Sequence, residues 1–260
     1  MSANKLDLLK EWMNDLNDDD IWKPFCDEEN ELEEFNRKYL LVEESKHWER
    51  ERNKEKGTAL ESLMKYVFNR FEIVKSIESD KLTGDNEVDL YVNFNDAMPL
   101  NFICETRGKV ICECKNMDSK SVDVGMVAKL QELCVSKGSN LGIFTSVRGL
   151  SGSGWKFADG KRRKLYIKSE IPIISFTVSE IESLRIKGNN FFTIIKRKIQ
   201  ELIDETEYDG GKIKKIKNNE DYKQMLTENI KAMYKIGLIN DEEVCIIKDR
   251  LYEKYGLGED

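Results

Sequence analysis

The fold is decided by two stretches of the sequence, Asn86-Glu-Val-Asp-Leu-Tyr-Val-Asn-Phe94 and Val110-Ile-Cys-Glu-Cys-Lys115. In the first stretch apolar residues occupy every second position, which is the period of a β-strand with one apolar face. In the second stretch the same period places Glu113 and Lys115 on one face of a strand. The two stretches therefore predict neighbouring strands that carry Asp89 on one and an acid–base pair on the other.

The surrounding sequence predicts an α/β fold. A helix with one apolar face begins near Gly57, and a second helix is predicted over residues 122–135. Further strands are predicted from short apolar segments at residues 72–77, 100–104, 141–145 and 171–176. Helices and strands in this order indicate an α/β core.

Composition divides the chain into four predicted parts. Residues 1–56 form an acidic helical arm, and residues 57–185 form the α/β core domain. Residues 186–218 contain a helix and a lysine-rich linker, and residues 219–260 form a helical hairpin. The core thus carries helical extensions at both of its ends.

Charge is distributed unevenly along the chain. The formal net charge is −7, which by itself argues against a nucleic-acid partner. However, residues 1–55 hold 17 acidic and 9 basic side chains, whereas residues 137–217 hold 17 basic and 9 acidic ones. Because local basic charge decides contact with phosphates, the second region permits nucleic-acid binding.

The carboxylates of Asp89 and Glu113 are candidate metal ligands. The 23 residues between them allow a hairpin that brings both side chains to one point, and converging carboxylate oxygens suit Mg²⁺ or Mn²⁺. A metal next to a lysine such as Lys115 is an arrangement that hydrolyses phosphodiesters. Asp85 and Glu87 compete with Asp89 for this role, although both are better explained as turn residues.

A glutamate on a helix completes a recognisable pattern. Glu61 lies in Gly57-Thr-Ala-Leu-Glu61, on the predicted helix that precedes the strands. The order of helix glutamate, strand aspartate, Glu-x-Lys strand, helix and apolar strand resembles the PD-(D/E)XK nuclease superfamily, especially its restriction-endonuclease-like and Mrr-like members. The resemblance covers about residues 57–180 and departs from the motif at its proline, where this chain has Asn86-Glu-Val.

The resemblance implies a restriction-endonuclease-like fold, which has a mixed central sheet flanked by helices, and it implies a role for each matching residue. Asp89 and Glu113 are the implied metal ligands, with the backbone carbonyl of Cys114 completing the shell. Lys115 is the implied catalytic lysine and Glu61 an accessory acid. Polar side chains on the helix after the Glu-x-Lys strand belong to the site in several such nucleases, and here that position suggests Gln131.

A cluster of basic residues is the predicted contact with the nucleic-acid backbone. It comprises Lys156, Lys161, Arg162, Arg163 and Lys164. Trp155 and Phe157 precede and interrupt this cluster, and they are interpreted either as core residues or as aromatic rings that stack on bases. Cys104, Cys112 and Cys114 lack the spacing of a structural zinc site and are interpreted as buried thiols.

The remaining signals concern partners and location. The segment from Ile230 to Leu251 resembles the SHOCT module, a short helical hairpin that implies homo-oligomerisation, and its alternative is a hairpin packed on the core. The sequence has no apolar run near the roughly 20 residues that span a bilayer, and its start lacks the order of a signal peptide. We therefore expect a cytoplasmic protein without a membrane partner.

Taken together, these patterns predict a Mg²⁺- or Mn²⁺-dependent endonuclease that acts on DNA. Domains of this kind usually occur in restriction or antiviral-defence systems, so the resemblance implies such a role. Two alternatives stay open at this point: an RNA-directed nuclease, and a degenerate nuclease fold that serves as a nucleic-acid-binding or oligomerising scaffold.

Overall fold

A computed structural model of the chain describes residues 15–83, 86–95, 101–207, 229–231, 233–235 and 237–255. Contacts between residues divide the chain into two compact units, residues 1–207 and residues 208–260. The first unit contains the predicted strands and is described first.

Five strands form a mixed sheet in the first unit, in the spatial order β1-β2-β3-β4-β5. Strands β1 and β2 are antiparallel, as are β2 and β3, whereas β3, β4 and β5 run parallel to one another. The strands are β1 Val74–Thr83, β2 Asn86–Phe94, β3 Lys109–Lys115, β4 Gly142–Ser146 and β5 Ile173–Thr177.

Helices flank this sheet, which confirms the predicted mixed α/β architecture. The helices of the first unit are α1 Asp18–Ile21, α2 Glu29–Ser45, α3 Asn53–Asn69, α4 Asn101–Thr106, α5 Val124–Lys137, α6 Phe157–Ser169, α7 Val178–Glu182 and α8 Phe191–Glu207. Short 3₁₀ helices cover Phe25–Asp27, Arg50–Arg52 and Ser183–Arg185.

Each face of the sheet is covered by an apolar layer. The first layer joins α2, α3 and α8 to one face, and it contains Cys112 and Cys114 of β3, which are buried as predicted. The second layer joins α5 and α6 to the other face through residues such as Ile111 and Phe144. Alternation along β3 therefore turns Glu113, which shares the face of Ile111, towards the α5 side.

The acidic N-terminal segment belongs to the same compact unit as the sheet. Trp22, Phe25 and Phe35 are fully buried in the first layer, and the Trp22 indole Nε1 donates a hydrogen bond to the Val67 carbonyl at 2.9 Å. The helix α8 also joins this layer, through Phe191. Apolar side chains of the acidic segment and of α8 thus pack in the same layer as residues of the sheet, and the predicted boundaries at residues 56 and 185 stay predictions.

The strand predicted over residues 100–104 is wrong, because residues 101–106 form helix α4. The ladder between β2 and β3 ends at the pair of Asn93 and Lys109. The ring of Phe102 packs instead against Phe94, with centroids 5.7 Å apart. A short apolar run does not by itself distinguish a strand from a buried helical turn.

In the second unit the described residues are helical on both sides of a turn. Residues 229–231 and 233–235 are helical, Gly237 has a φ of 72°, and α9 spans Asp241–Tyr255. Asn240 caps α9, since its Oδ1 accepts a hydrogen bond from the Glu243 N–H at 3.0 Å. These elements match the predicted hairpin, and its role in oligomerisation stays a prediction.

The predicted lysine-rich linker at residues 212–217 lies outside the described residues, as does Asp85. Among the helices that the structure describes, none is both long and apolar enough to cross a membrane.

Candidate active site

The candidate site lies where β3 ends and β2 begins. The antiparallel register pairs Leu90 with Cys112, which brings the preceding residue Asp89 beside Glu113. The two carboxylates are therefore neighbours in space although they are far apart in the chain, as the predicted hairpin requires.

Lys115 joins the two carboxylates. Its Nζ lies 2.7 Å from Oε2 of Glu113 and 3.1 Å from Oδ2 of Asp89. The same Oδ2 accepts a hydrogen bond from the backbone N–H of Cys114 at 2.7 Å, which fixes the orientation of the aspartate. The structure thus brings together the three side chains that the sequence pattern singled out, and we name them the carboxylate–lysine triad.

Burial makes the electrostatics of the triad strong. The side chains of Glu113, Asp89 and Lys115 are 4%, 16% and 24% exposed. Burial lowers the pKa of Lys115, but the charges of Glu113 and Asp89 outweigh burial and raise it above its ordinary value. Burial and the charge of Asp89 raise the pKa of Glu113. With all three groups ionised, the triad has one negative charge in excess.

The triad has features that fit a divalent cation. Oε1 of Glu113 is buried and has no hydrogen-bond partner among the described residues, so one hard oxygen lacks a donor. The N–H of Cys114 points to β2 and Asp89. Because the N–H and C=O of a strand residue point to the same neighbour, the Cys114 carbonyl faces this side as well.

The described residues contain no group of three or more His, Cys, Asp or Glu side chains that could hold a metal ion. A cation at the triad would therefore be held by two carboxylates, with a backbone carbonyl and water as further ligands. Mg²⁺ characteristically keeps several waters and binds through one or two carboxylates, so this donor set suits it.

Glu61 lies on α3, which packs against β3. Its position is indicated by Cys114, whose thiol pKa is raised by a hydrogen bond with Cys112, by burial, and further by the charges of Asp89 and Glu61. The Glu61 carboxylate thus acts electrostatically on the strand that carries the site, and its accessory role stays a prediction.

Lys129 is a charged residue near Glu113 that the sequence interpretation did not single out. It is exposed on α5, and its positive charge opposes the rise that burial causes in the pKa of Glu113. Gln131, the residue suggested on this helix, is buried and donates a hydrogen bond to Ser169 at 2.6 Å, so it joins α5 to α6. The side chains of Lys129 and Gln131 leave the helix in directions about 200° apart. In the sequence, only the apolar stripe of α5 indicates that Gln131 is the buried one of the two.

Asn116 connects the end of β3 to the helical layer. Its Nδ2 donates hydrogen bonds to Oγ of Ser45 at 2.8 Å and to the carbonyl of Lys56 at 2.7 Å. These bonds tie the residue next to Lys115 to the end of α2 and the start of α3. The sequence carries no local signal for this contact, because its partners lie 71 and 60 residues away.

Two members of the predicted basic cluster are engaged in ion pairs. Arg162 and Arg163 both contact Asp159 on α6 and Glu205 on α8, at distances between 2.6 and 3.3 Å. They therefore join the two helices. The other members differ in exposure, since Lys156 and Lys164 are exposed and Lys161 is half-buried.

Comparison with known proteins adds no family to these observations. No model of a known protein family matches the chain, and no curated protein is similar to it. The assignment of the site consequently depends on its residues and their geometry.

Proposed function

We propose that the protein is a metal-dependent endonuclease of the PD-(D/E)XK type that hydrolyses phosphodiester bonds of DNA. The observation that carries this proposal is the carboxylate–lysine triad, in which Asp89 and Glu113 converge at the end of a strand around the Lys115 ammonium. The mixed sheet with an antiparallel β1–β2–β3 edge supports a restriction-endonuclease-like fold. A role in restriction or antiviral defence follows from this class.

Each residue of the site has a task in this proposal. Asp89 and Glu113 hold Mg²⁺ or Mn²⁺, the Cys114 carbonyl completes their ligand set, and Glu61 orients water beside it. When bound, the cation supplies Lewis acidity towards the phosphodiester and lowers the pKa of a bound water. The unpartnered Oε1 of Glu113 supports this assignment, because a buried carboxylate oxygen without a donor is costly to maintain.

Lys115 acts as a cation in this mechanism. In the metal-free site the charges of Glu113 and Asp89 outweigh burial and raise the pKa of Lys115, which favours the protonated Nζ. A fixed ammonium can orient the attacking water and stabilise the negative charge that develops on the phosphodiester oxygens. Lys129, exposed near Glu113, is placed to contact a phosphate from the α5 side.

One observation favours a second candidate function, a nucleic-acid-binding scaffold. Lys115 already forms ion pairs with both carboxylates, so the triad satisfies much of its own charge. In this alternative the triad only stabilises the sheet, and phosphate contacts come from exposed lysines. The two candidates differ in one respect that can be measured, which is metal-dependent cleavage.

The test is cleavage by the purified full-length chain. Plasmid DNA, single-stranded DNA and RNA are each incubated with Mg²⁺, Mn²⁺ or EDTA, using the wild type, Glu113→Gln and the control Glu132→Gln. Glu132 is exposed on α5, so its substitution controls for the loss of one acid. We expect metal-dependent DNA cleavage that Glu113→Gln lowers by at least about 10²-fold and Glu132→Gln leaves unchanged.

Cleavage that persists in EDTA, or a Glu113→Gln rate equal to the wild type, would refute the nuclease proposal. DNA binding without cleavage in every metal would favour the scaffold. Faster cleavage of RNA than of DNA would retain the mechanism and change the substrate.

A further inference from the structure

Phe157, the first residue of α6, is held in an unfavourable conformation. Its φ is 52°, in the left-handed region that bulky side chains rarely adopt. Its side chain is also 69% exposed, so the ring gains little from burial. Strain of this kind persists only where the surrounding structure enforces it, and it concentrates at functional positions.

The backbone around Phe157 enforces this conformation. A Cβ on Gly152 would lie 2.4 Å from the Lys156 carbonyl oxygen and 2.9 Å from Cβ of Phe157. The backbone of Gly152 therefore packs closely against Lys156 and Phe157. A Cβ on Gly160 would lie 2.1 Å from the Trp155 carbonyl, so helix and loop are in direct backbone contact. The loop thus presents the aromatic ring to solvent from a fixed position.

This loop begins beside the candidate active site. Strand β4 runs parallel to β3 with Ser146 opposite Lys115, and the N–H of Val147 donates to the Lys115 carbonyl at 3.4 Å. The loop is then held to the segment that follows β3, because the Val122 N–H donates to the Gly149 carbonyl at 2.9 Å. The loop therefore begins at the end of the sheet where the triad lies.

The chemistry of the loop suits a nucleic-acid base. An exposed aromatic ring offers a stacking surface, and the exposed Lys156 beside it offers a cation for the adjoining phosphate. In a closed duplex each base already stacks on its neighbours, so its face is not available to a protein ring. A ring in this position therefore selects an unpaired base.

We propose that Phe157 stacks on an unpaired base of the DNA strand whose phosphodiester is cleaved at the triad. The preferred substrate is then single-stranded DNA or DNA that is locally opened. This inference rests on the proposed nuclease function for the path of the strand, whereas stacking itself is measurable without cleavage.

The test measures stacking in EDTA, so that no strand is cut. A single-stranded DNA oligonucleotide containing 2-aminopurine is titrated with the full-length wild type, Phe157→Gly, Phe157→Trp and the control Ile167→Ala. Ile167 is 58% exposed on the same helix, so it matches Phe157 in exposure and chemistry. Wild type, Phe157→Trp and Ile167→Ala should quench the fluorescence, and Phe157→Gly should bind about 5- to 150-fold more weakly without quenching.

A thermal melt separates this role from a structural one. Glycine adopts a positive φ without strain, so Phe157→Gly should unfold no lower than the wild type. Equal affinity of wild type and Phe157→Gly for the oligonucleotide would overturn the inference, even if the protein cleaves DNA. Tighter binding of a matched duplex or a matched RNA by the wild type would overturn the assigned substrate. Phe157-dependent quenching without cleavage in any metal would uphold stacking while the nuclease proposal fails.

Discussion

Replacing Lys115 by methionine tests whether the triad is a cation site. The substitution keeps an unbranched side chain of similar length but removes the ammonium that joins Asp89 and Glu113. The two carboxylates then repel each other in a buried position. We expect the variant to be less stable than the wild type, and we expect a divalent cation to restore much of the loss by taking over the role of the ammonium.

The distances in the triad set the size of the effect. With Nζ 2.7 Å from Glu113 and 3.1 Å from Asp89, each pair has a Coulomb energy of roughly 5 to 6 kcal/mol at an effective dielectric constant of about 20. Desolvation offsets much of this energy, and removal of one partner from a buried pair typically costs about 3 to 5 kcal/mol. At about 2 to 4 °C per kcal/mol, Tm should fall by about 6 to 20 °C.

The assay compares thermal unfolding of both proteins, followed by circular dichroism, in EDTA and in Mn²⁺. Mn²⁺ at about 100 times its Kd should stabilise either protein by about 2.7 kcal/mol. At one fixed Mn²⁺ concentration the increase in the free energy of unfolding should be larger for Lys115→Met, because no ammonium has to be displaced from the two carboxylates. Calorimetry should accordingly show tighter Mn²⁺ binding to the variant, while its DNA cleavage falls by about 10²- to 10³-fold.

A double variant provides the control. Glu113→Gln removes one of the two repelling charges, so Lys115→Met and Glu113→Gln together should cost less than the sum of their separate effects. The reasoning would be refuted by a Lys115→Met protein that melts within about 2 °C of the wild type in EDTA. It would equally be refuted if one and the same Mn²⁺ concentration stabilised the wild type as much as the variant.

Three other substitutions test separate parts of the structure. Lys129→Met should weaken DNA binding and reduce its salt slope by about one unit, unlike the exposed Lys168→Met, and an unchanged slope in a binding titration would remove Lys129 from the interface. Glu180→Gln should lower Tm at neutral pH by about 2 to 4 °C. Burial raises the pKa of Glu180, but hydrogen bonds from Lys198 and from the cap of α7 outweigh it and lower the pKa. The stabilisation by the Glu180 carboxylate is therefore present at pH values above its ordinary pKa of 4.5, and it is lost as the pH falls through the lowered pKa. If the Tm values of the wild type and of Glu180→Gln did not converge at low pH, this origin would be contradicted. Arg163→Met should cost about 2 kcal/mol in urea unfolding and leave DNA affinity unchanged, and the opposite pattern would return this arginine to the nucleic-acid interface.

The triad was predictable from the sequence because its signal is local. The period of two along residues 86–94 and 110–115 fixes which side chains share a face, whatever the rest of the chain does. The same period correctly turned Cys112 away from Glu113 and into the core. The direct pairing of the two strands did not follow from the sequence, because a further strand was predicted between them at residues 100–104, and residues 95–108 are also long enough for a parallel crossover.

Features that depend on distant contacts were not predictable. Residues 101–106 are helical because the ladder ends early and Phe102 finds aromatic partners, one of them Phe192 at a centroid distance of 4.9 Å. The basic cluster was judged by its composition, but the charge of Arg162 is partly neutralised by Glu205, 43 residues later. Sequence patterns give the charge of a segment and do not give the partners that the fold supplies.

The placement of charges in the fold is compatible with the proposed DNA substrate, although the protein is acidic overall. The acidic helix α2 packs in the layer on one face of the sheet, whereas Glu113 faces α5 on the other. Each packed layer adds about 10 Å to the distance between the two outer surfaces. The exposed acids of α2 thus lie on the opposite side of the sheet from a phosphate on the α5 side, where Lys129 and Lys156 are exposed. We therefore expect DNA to approach over α5 and the loop before α6, and the net charge of −7 does not oppose this approach.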